Sequence, residues 1–396
     1  MKSKPAVLSL LLAASLLTAV RAGASPTPTE LFAFNGANGQ DPTKLIQASD
    51  GNLYGITYLY TYRQGGTVFK LTPAAQFTQL FATHPSPNDA SFFPDGNFFG
   101  DLTEGSDGFL YVAAGSGGPF TTANGIPLNA GTLLRISKSG AGFEIAHAFC
   151  SSPGCADGEV PTSIVPGLDG NLYGTTSNGG GCSTCGVVFR FSPASGTYTV
   201  LHSVAIGESS PGGLNPANDG NFYATCTSPQ GGPPSICRVS TSGQITRIFQ
   251  FPQPLWPANG TLSQGSNGLL YGVALVNPNS NSVQTVFQLD TSGGSFEQIF
   301  QTQIQCCVKI GHSTVIQATD GNLWVTNPNA QLWGTVYTIT PTGTLLQTLA
   351  FSGSTNGAAP HFLLQASSGV IYGTTYNRGP GGSGTVFSIN AGLPPK

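Results

Sequence analysis

DGNLYG, residues 50–55, returns letter for letter at 169–174. Variants stand at 107–112 (DGFLYV), 219–224 (DGNFYA), 267–272 (NGLLYG), 320–325 (DGNLWV) and 368–373 (SGVIYG). Measured from Asp50 to Ser368 over six intervals, the phrase recurs at a mean spacing of 53 residues. A fixed period of this length signals a repeat architecture, in which each unit buries its apolar face only against its neighbours. Within the first unit, four apolar stretches of strand length surround the phrase: KLIQAS (44–49), LYGITYL (53–59), GTVFKLT (66–72) and FTQLFAT (77–83). They are rich in β-branched and aromatic residues. The Asp-Gly between the first two is a tight-turn signal, because such a turn needs positive φ. Four antiparallel strands per unit and seven units predict an all-β, seven-bladed β-propeller. The alternative reading of the Asp as a calcium ligand lacks the alternating-acid loop that calcium requires.

The two ends of the chain carry a further signal. The last unit stops at GTVFSIN (384–390), after three strands, while TELFAF (29–34) stands alone before the first. If 29–34 completes the last blade, the ring closes and two open sheet edges disappear.

Only 8% of the 396 residues are charged, with 54 Gly and 29 Pro, which disfavours long helices, and 39% are hydrophobic, which argues against disorder. A net charge of −3 provides no basic field for nucleic acid. Lys2 and Lys4, an apolar run from Ala6 to Val20 and the small residues Ala22-Gly23-Ala24 read as a signal peptide over 1–24, cut before Ser25. The expected mature protein is one propeller domain, 25–396, secreted or periplasmic, monomeric and without a transmembrane segment.

Eight cysteines in an exported chain favour disulfides. Cys150 and Cys155 flank one loop and Cys182 and Cys185 an adjacent one, so two local bridges or a crossed pair are expected; a four-thiolate zinc or a redox CxxC fits less well. Cys226 and Cys237 lie on the two middle strands of blade 4 and are placed to staple them. Cys306-Cys307 is a vicinal pair that either closes on itself or pairs elsewhere.

DGNLYG with its Gly-rich loop, the GTVFKLT stretch and the LFAF-type stretch resemble the GloVer tandem-repeat family over 29–390. That likeness implies an exported propeller but no reaction. DGNLW (320–324) is similar to the repeat of the virginiamycin B lyase-like propellers. That lyase's catalytic His/Glu pattern has no match here, so its activity does not carry over.

The first-to-second and third-to-fourth turns of a blade share one face, here bearing the Asp-Gly turns. The second-to-third loops and blade connections share the other. The long, irregular loops all belong to this second face, the expected place for a site, whereas the repeated Asp-Gly turns promise no unique pocket. Over blades 1 and 2 it collects Tyr58, Tyr60, Arg63, His84 and Phe98, with further Phe residues that equally suit loop packing. Over blades 6 and 7 it collects His312 and His361, with Arg378 nearby. The His pair suits acid/base chemistry, or else simply lines a wet channel; no third metal ligand accompanies it. His147 and His202, inside fourth-strand patterns, read as structural. No nucleophile elbow, Walker loop, dinucleotide fingerprint or zinc-protease motif is present, and no cofactor or metal is expected. Two functions remain: an exported propeller binding a small molecule or glycan at the channel mouth, with Tyr58, Tyr60, Arg63, His84, Phe98 and Arg378 as ligand contacts, or a cofactor-independent lyase or cyclase (pericyclase-type cyclisation included) using His312 and His361.

Overall fold

The computed structural model describes residues 26–58, 65–86, 92–121, 128–227, 231–257, 262–276, 283–303 and 313–396. It contains seven antiparallel sheets, each of four strands in chain order except the last. Blade 1 runs Pro42–Gln47, Leu53–Thr57, Thr67–Leu71 and Phe77–Ala82, from the channel outwards. The inner strands of blades 2, 3 and 7 are Asn97–Glu104, Glu159–Pro166 and Ala358–Gln365; that of blade 6 is the short Val315–Gln317. In blades 4 and 5 the inner strand comes in two pieces, Ser210–Pro211 with Asn215–Pro216, and Leu255–Pro257 with Ser263–Gln264. Blade 7 closes as the sequence predicts. Thr29–Ala33 pairs antiparallel with Thr385–Ile389 as that blade's outer strand. Phe34, just beyond it, is fully buried against Phe32, Phe69 and Phe77.

The repeated phrase folds for a reason visible at each of its letters. Asp50 Oδ1 accepts the Asn52 amide, and Oδ2 accepts the Asn52 side chain at 2.9 Å and the Tyr54 hydroxyl at 2.8 Å. The carboxylate thus fixes the turn and satisfies the one polar atom of a ring buried between blades. Asp169 with Tyr173 and Asp219 with Tyr223 repeat this at 2.8 Å, and Asp107 with Tyr111 at 3.0 Å. The final Gly is required by the third strand. A Cβ on Gly55, Gly174, Gly272 or Gly373 would lie 2.2–2.3 Å from the ring of Phe69, Phe189, Phe287 or Phe387, the residue directly opposite in each case. Where the phrase ends in Val112, Ala224 or Val325, the opposite residue is Leu134, Cys237 or Tyr337 instead of Phe.

Neighbouring blades are tied on the Asp-Gly face. The side chain three residues before each turn Asp reaches the preceding blade's turn amide: Gln47 to Ser367, Glu104 to Ser49, Gln264 to Asn218, Gln317 to Ser266 and Gln365 to Thr319, at 2.6–2.9 Å. Glu104 is also held by Lys138. Blades 3 and 4 carry Pro166 and Pro216 at this position, and a proline ring offers no such acceptor.

Among the described residues, three disulfides join Cys150 to Cys155, Cys182 to Cys185 and Cys226 to Cys237, with Cα atoms 4.0, 5.2 and 6.0 Å apart. The first four cysteines form the two local bridges, not a crossed pair. Cys306 and Cys307 lie outside the described residues.

Candidate functional site at the channel mouth

The inner strands of blades 1, 2, 3 and 7 each carry a one-residue bulge near the long-loop face, between Pro42 and Lys44, Phe99 and Asp101, Pro161 and Ser163, and Pro360 and Phe362. Just after the bulge, the strands are cross-linked by a polar chain. Lys44 Nζ sits 2.9 Å from Asp101 Oδ1 and above the Phe362 ring. Asp101 Oδ2 accepts the Ile164 amide and the Ser163 hydroxyl, and Ser163 Oγ accepts the Leu214 amide. These groups satisfy one another, so this part of the wall holds blades together.

The mouth over blades 6, 7 and 1 differs. Asp41, in the connection into blade 1, is 4% exposed and held at φ 51. Its amide donates to the Ser383 carbonyl, and its own carbonyl accepts the Tyr58 amide. Burial lifts its carboxyl to about 6, against the opposing pull of the Gln40 amide, 3.5 Å away, and of the nearby Tyr376 hydroxyl. A raised carboxyl costs folding nothing below the ordinary carboxylate range, progressively more as pH climbs from there to about 6, and no more beyond. Tyr376, at the end of blade 7's second strand, is 40% exposed, so one ring joins a buried acid to solvent. One residue beyond that strand, Arg378 stacks its guanidinium 3.9 Å over the half-buried Trp333 of blade 6. Trp256, on blade 5's inner strand, is also exposed.

His361 occupies the blade 7 bulge and is 3% exposed, with its ring edge-on to Tyr376 at 6.0 Å. Tyr58 is half-buried at the start of its loop. Arg378, His361 and Tyr58 therefore belong to one arc. His84 does not: it lies beyond blade 1's outer strand, 70% exposed, with Nδ1 2.9 Å from Asp95 Oδ2. Tyr60, Arg63 and His312 lie outside the described residues, and so does the side chain of Phe98, whose backbone is in the inner strand Asn97–Glu104. Sequence reasoning missed Asp41, Tyr376 and Trp333. The available signal was an acid placed directly before the recurrent bulge proline, Asp41-Pro42. Among the described residues no group of three His, Cys, Asp or Glu side chains is placed to hold a metal ion, and no helix is long and apolar enough to cross a membrane.

Two other histidines pair with acids in the blade connections. His202 Nε2 lies 2.9 Å from Glu208. His147 Nε2 lies 3.1 Å from Asp157 and stacks on Tyr198 at 3.7 Å. Burial would raise the Asp157 carboxyl, but hydrogen bonds from His147, from Ser151 and from backbone amides outweigh it and bring it to about 2. A lowered carboxyl stabilises the fold above its ordinary range and stops doing so as pH falls towards 2. Asp157→Asn should therefore cost on the order of 2 kcal/mol at pH 7 and much less at pH 2.5. Urea denaturation of both proteins at the two pH values checks this, and a pH-independent gap would contradict it.

The Asp-Gly face carries an open depression of about 370 Å³ between the turns of blades 2 and 3. It opens where Pro166 interrupts the ring of side-chain ties.

The sequence profile of the Gloeobacter/Verrucomicrobia repeat matches 18–184. Those residues carry that repeat. The repeat-bearing region thus covers blades 1 and 2 and half of blade 3, and blades 4 to 7 continue the same strand plan in the structure. A comparison with curated proteins finds no significant match. Among solved structures, the chain is similar to the extracellular domain of the putative hybrid two component system BT3049 from B. thetaiotaomicron, at 14% identity and TM-score 0.56, covering 90% of this chain and 40% of that one. It thus spans well under half of that protein's length. It is similar to the Niastella koreensis GH74 enzyme at 12% identity and TM-score 0.53, covering 87% and 51%. It also resembles an oligogalacturonate lyase in complex with manganese, at 12% identity and TM-score 0.52, covering 90% and 98%. At these identities the likeness is one of fold.

Proposed function

We propose that this repeat protein is an exported propeller that binds a small oxygenated ligand, of carbohydrate type, at the channel mouth over blades 6, 7 and 1. The observation that carries this reading is the exposed Tyr376 side chain standing beside the buried Asp41 carboxyl, whose acidity it influences. The Arg378–Trp333 stack stands on the neighbouring blade. An apolar ring face packs against a sugar's C–H surface, and a guanidinium and a protonated carboxyl donate to its oxygens. Export is supported by the charged, apolar and small-residue order of the first 24 residues and by three disulfides. The extracellular domain and the oligogalacturonate lyase among the structural neighbours fit export and a carbohydrate ligand.

One observation also favours chemistry at this place. A carboxyl lifted to about 6 can donate or accept a proton near neutrality, as a lyase or cyclase requires. His361 and Asp41 are equally buried, at 3% and 4% exposure, and Asp41 is the better acid/base in that reading because its carboxyl is poised near neutrality and neighbours the exposed Tyr376.

Isothermal titration with neutral and uronic oligosaccharides tests the proposal. Tyr376→Ala should weaken binding at least about tenfold. Wild-type affinity should fall as pH rises through about 6, because the donating form of Asp41 is lost, and Asp41→Asn should flatten that dependence. Failure of every saccharide to saturate, or a Tyr376→Ala protein binding like wild type, would remove it. Product formation abolished by Asp41→Asn would favour the enzyme.

A further inference from the structure

The gap in the ring of ties has a defined chemistry. In four of the ties a glutamine does two jobs. Its Oε1 accepts the preceding blade's turn amide, and its Nε2 donates to the turn glycine carbonyl of its own blade: Gly51, Gly268, Gly321 and Gly369, at 2.8–3.4 Å. The equivalent pair between blades 2 and 3 is the Ser106 amide and the Gly170 carbonyl, with Pro166 where the glutamine would be. Ser106 Oγ reaches the Gly170 oxygen at 2.8 Å, leaving that oxygen its second lone pair. Among the described residues no side chain reaches the Ser106 amide. Both residues line the depression of about 370 Å³, together with Ser49, Glu104, Pro166 and Leu172. At the roughly 30 Å³ that a water takes in the liquid, this is room for about a dozen non-hydrogen atoms.

We propose that this depression is a binding site for a primary carboxamide, the side chain of a glutamine or a small free amide, which completes the tie that Pro166 omits. The carboxamide oxygen accepts the Ser106 N–H and its NH₂ donates to the Gly170 carbonyl. Glu104 sets the selectivity. Its carboxylate, fixed by Lys138 and by the Ser49 amide and hydroxyl, stands in the wall and repels an anionic carboxylate of the same shape. The site lies on the face opposite the channel mouth proposed above and does not depend on that proposal.

The test is an amide-resolved NMR titration of the disulfide-bonded protein with N-acetylglutamine methylamide, acetamide and acetate. The Ser106 resonance should shift downfield and saturate with the two amides, while acetate leaves it unmoved. Tighter binding of the glutamine derivative than of acetamide would assign a peptide side chain as the ligand; the reverse would assign a free amide. Pro166→Gln supplies the missing group from the chain itself and should weaken amide binding at least about tenfold. Titration of the wild type decides alone if that variant does not fold. A Ser106 resonance unmoved by either amide, equal saturation by acetate, or undiminished binding in a folded Pro166→Gln protein would overturn the assignment.

Discussion

A chain lacking residues 26–36 is expected to lose on the order of 5 kcal/mol of stability, enough to unfold a protein of ordinary margin. The deletion removes the outer strand of blade 7 and leaves Thr385–Ile389 with an open edge. It also extracts Phe34, whose ring is fully buried among Phe32, Phe69 and Phe77 across the junction of blades 7 and 1. The bonds between Phe34 and residues 383–384, and from Asn356 to the Pro28 carbonyl, go with it. Phe34→Ala alone should cost about 3–5 kcal/mol. Urea denaturation followed by tryptophan fluorescence measures both. A truncated protein with an unchanged midpoint would mean that the ring does not depend on this closure.

The second large effect concerns the last letter of the repeated phrase. Gly174→Ala puts a methyl group 2.2 Å from the Phe189 ring and 2.3 Å from the Ser163 carbonyl. Backbone on one side and a fully buried ring on the other cannot both yield, so a loss of about 3 kcal/mol is expected. Gly51→Ala is the control. Its Cβ meets nothing within 4 Å, and its φ of 79° carries only a backbone penalty of about 1 kcal/mol. Pairing Gly174→Ala with Phe189→Leu should recover part of the loss, because Val112 already sits opposite Leu134 in blade 2. Equal destabilisation by Gly174→Ala and Gly51→Ala would refute the steric account.

The blade plan and its closure were legible because they rest on local rules. A polar turn residue, acidic in five of the seven units, a positive-φ glycine and strand-length apolar runs write the phrase in every unit, and the lone strand 29–34 matched the one missing at the other end. The candidate site was only half legible. Arg378, His361 and Tyr58 were picked by their loops, but Asp41 gains its character from burial between the first and last blades, a contact separated by more than three hundred residues of chain. Nothing beside Asp41 in sequence announces Tyr376 as its partner. The depression at Pro166 was readable and missed. Aligning the units three residues before the turn Asp gives Gln47, Glu104, Pro166, Pro216, Gln264, Gln317 and Gln365, and the two prolines stand out once the side chain at that column is known to reach across. Attention to the turn letters alone made that face look uniform.

The pairing that closes the ring also fixes how the molecule responds to tension. Thr29 faces Ser388 and Ala33 faces Thr385, so the outer end of the first strand and the outer end of the last lie side by side. Opposed pulling on the two termini loads this ladder one rung at a time, as a zipper, and not all rungs together in shear. The three disulfides span only 5, 3 and 11 residues of chain, and none bridges one blade to another. None of these three bridges shares the load, so the strand that makes the ring a ring is also the first seam to part when it is stretched.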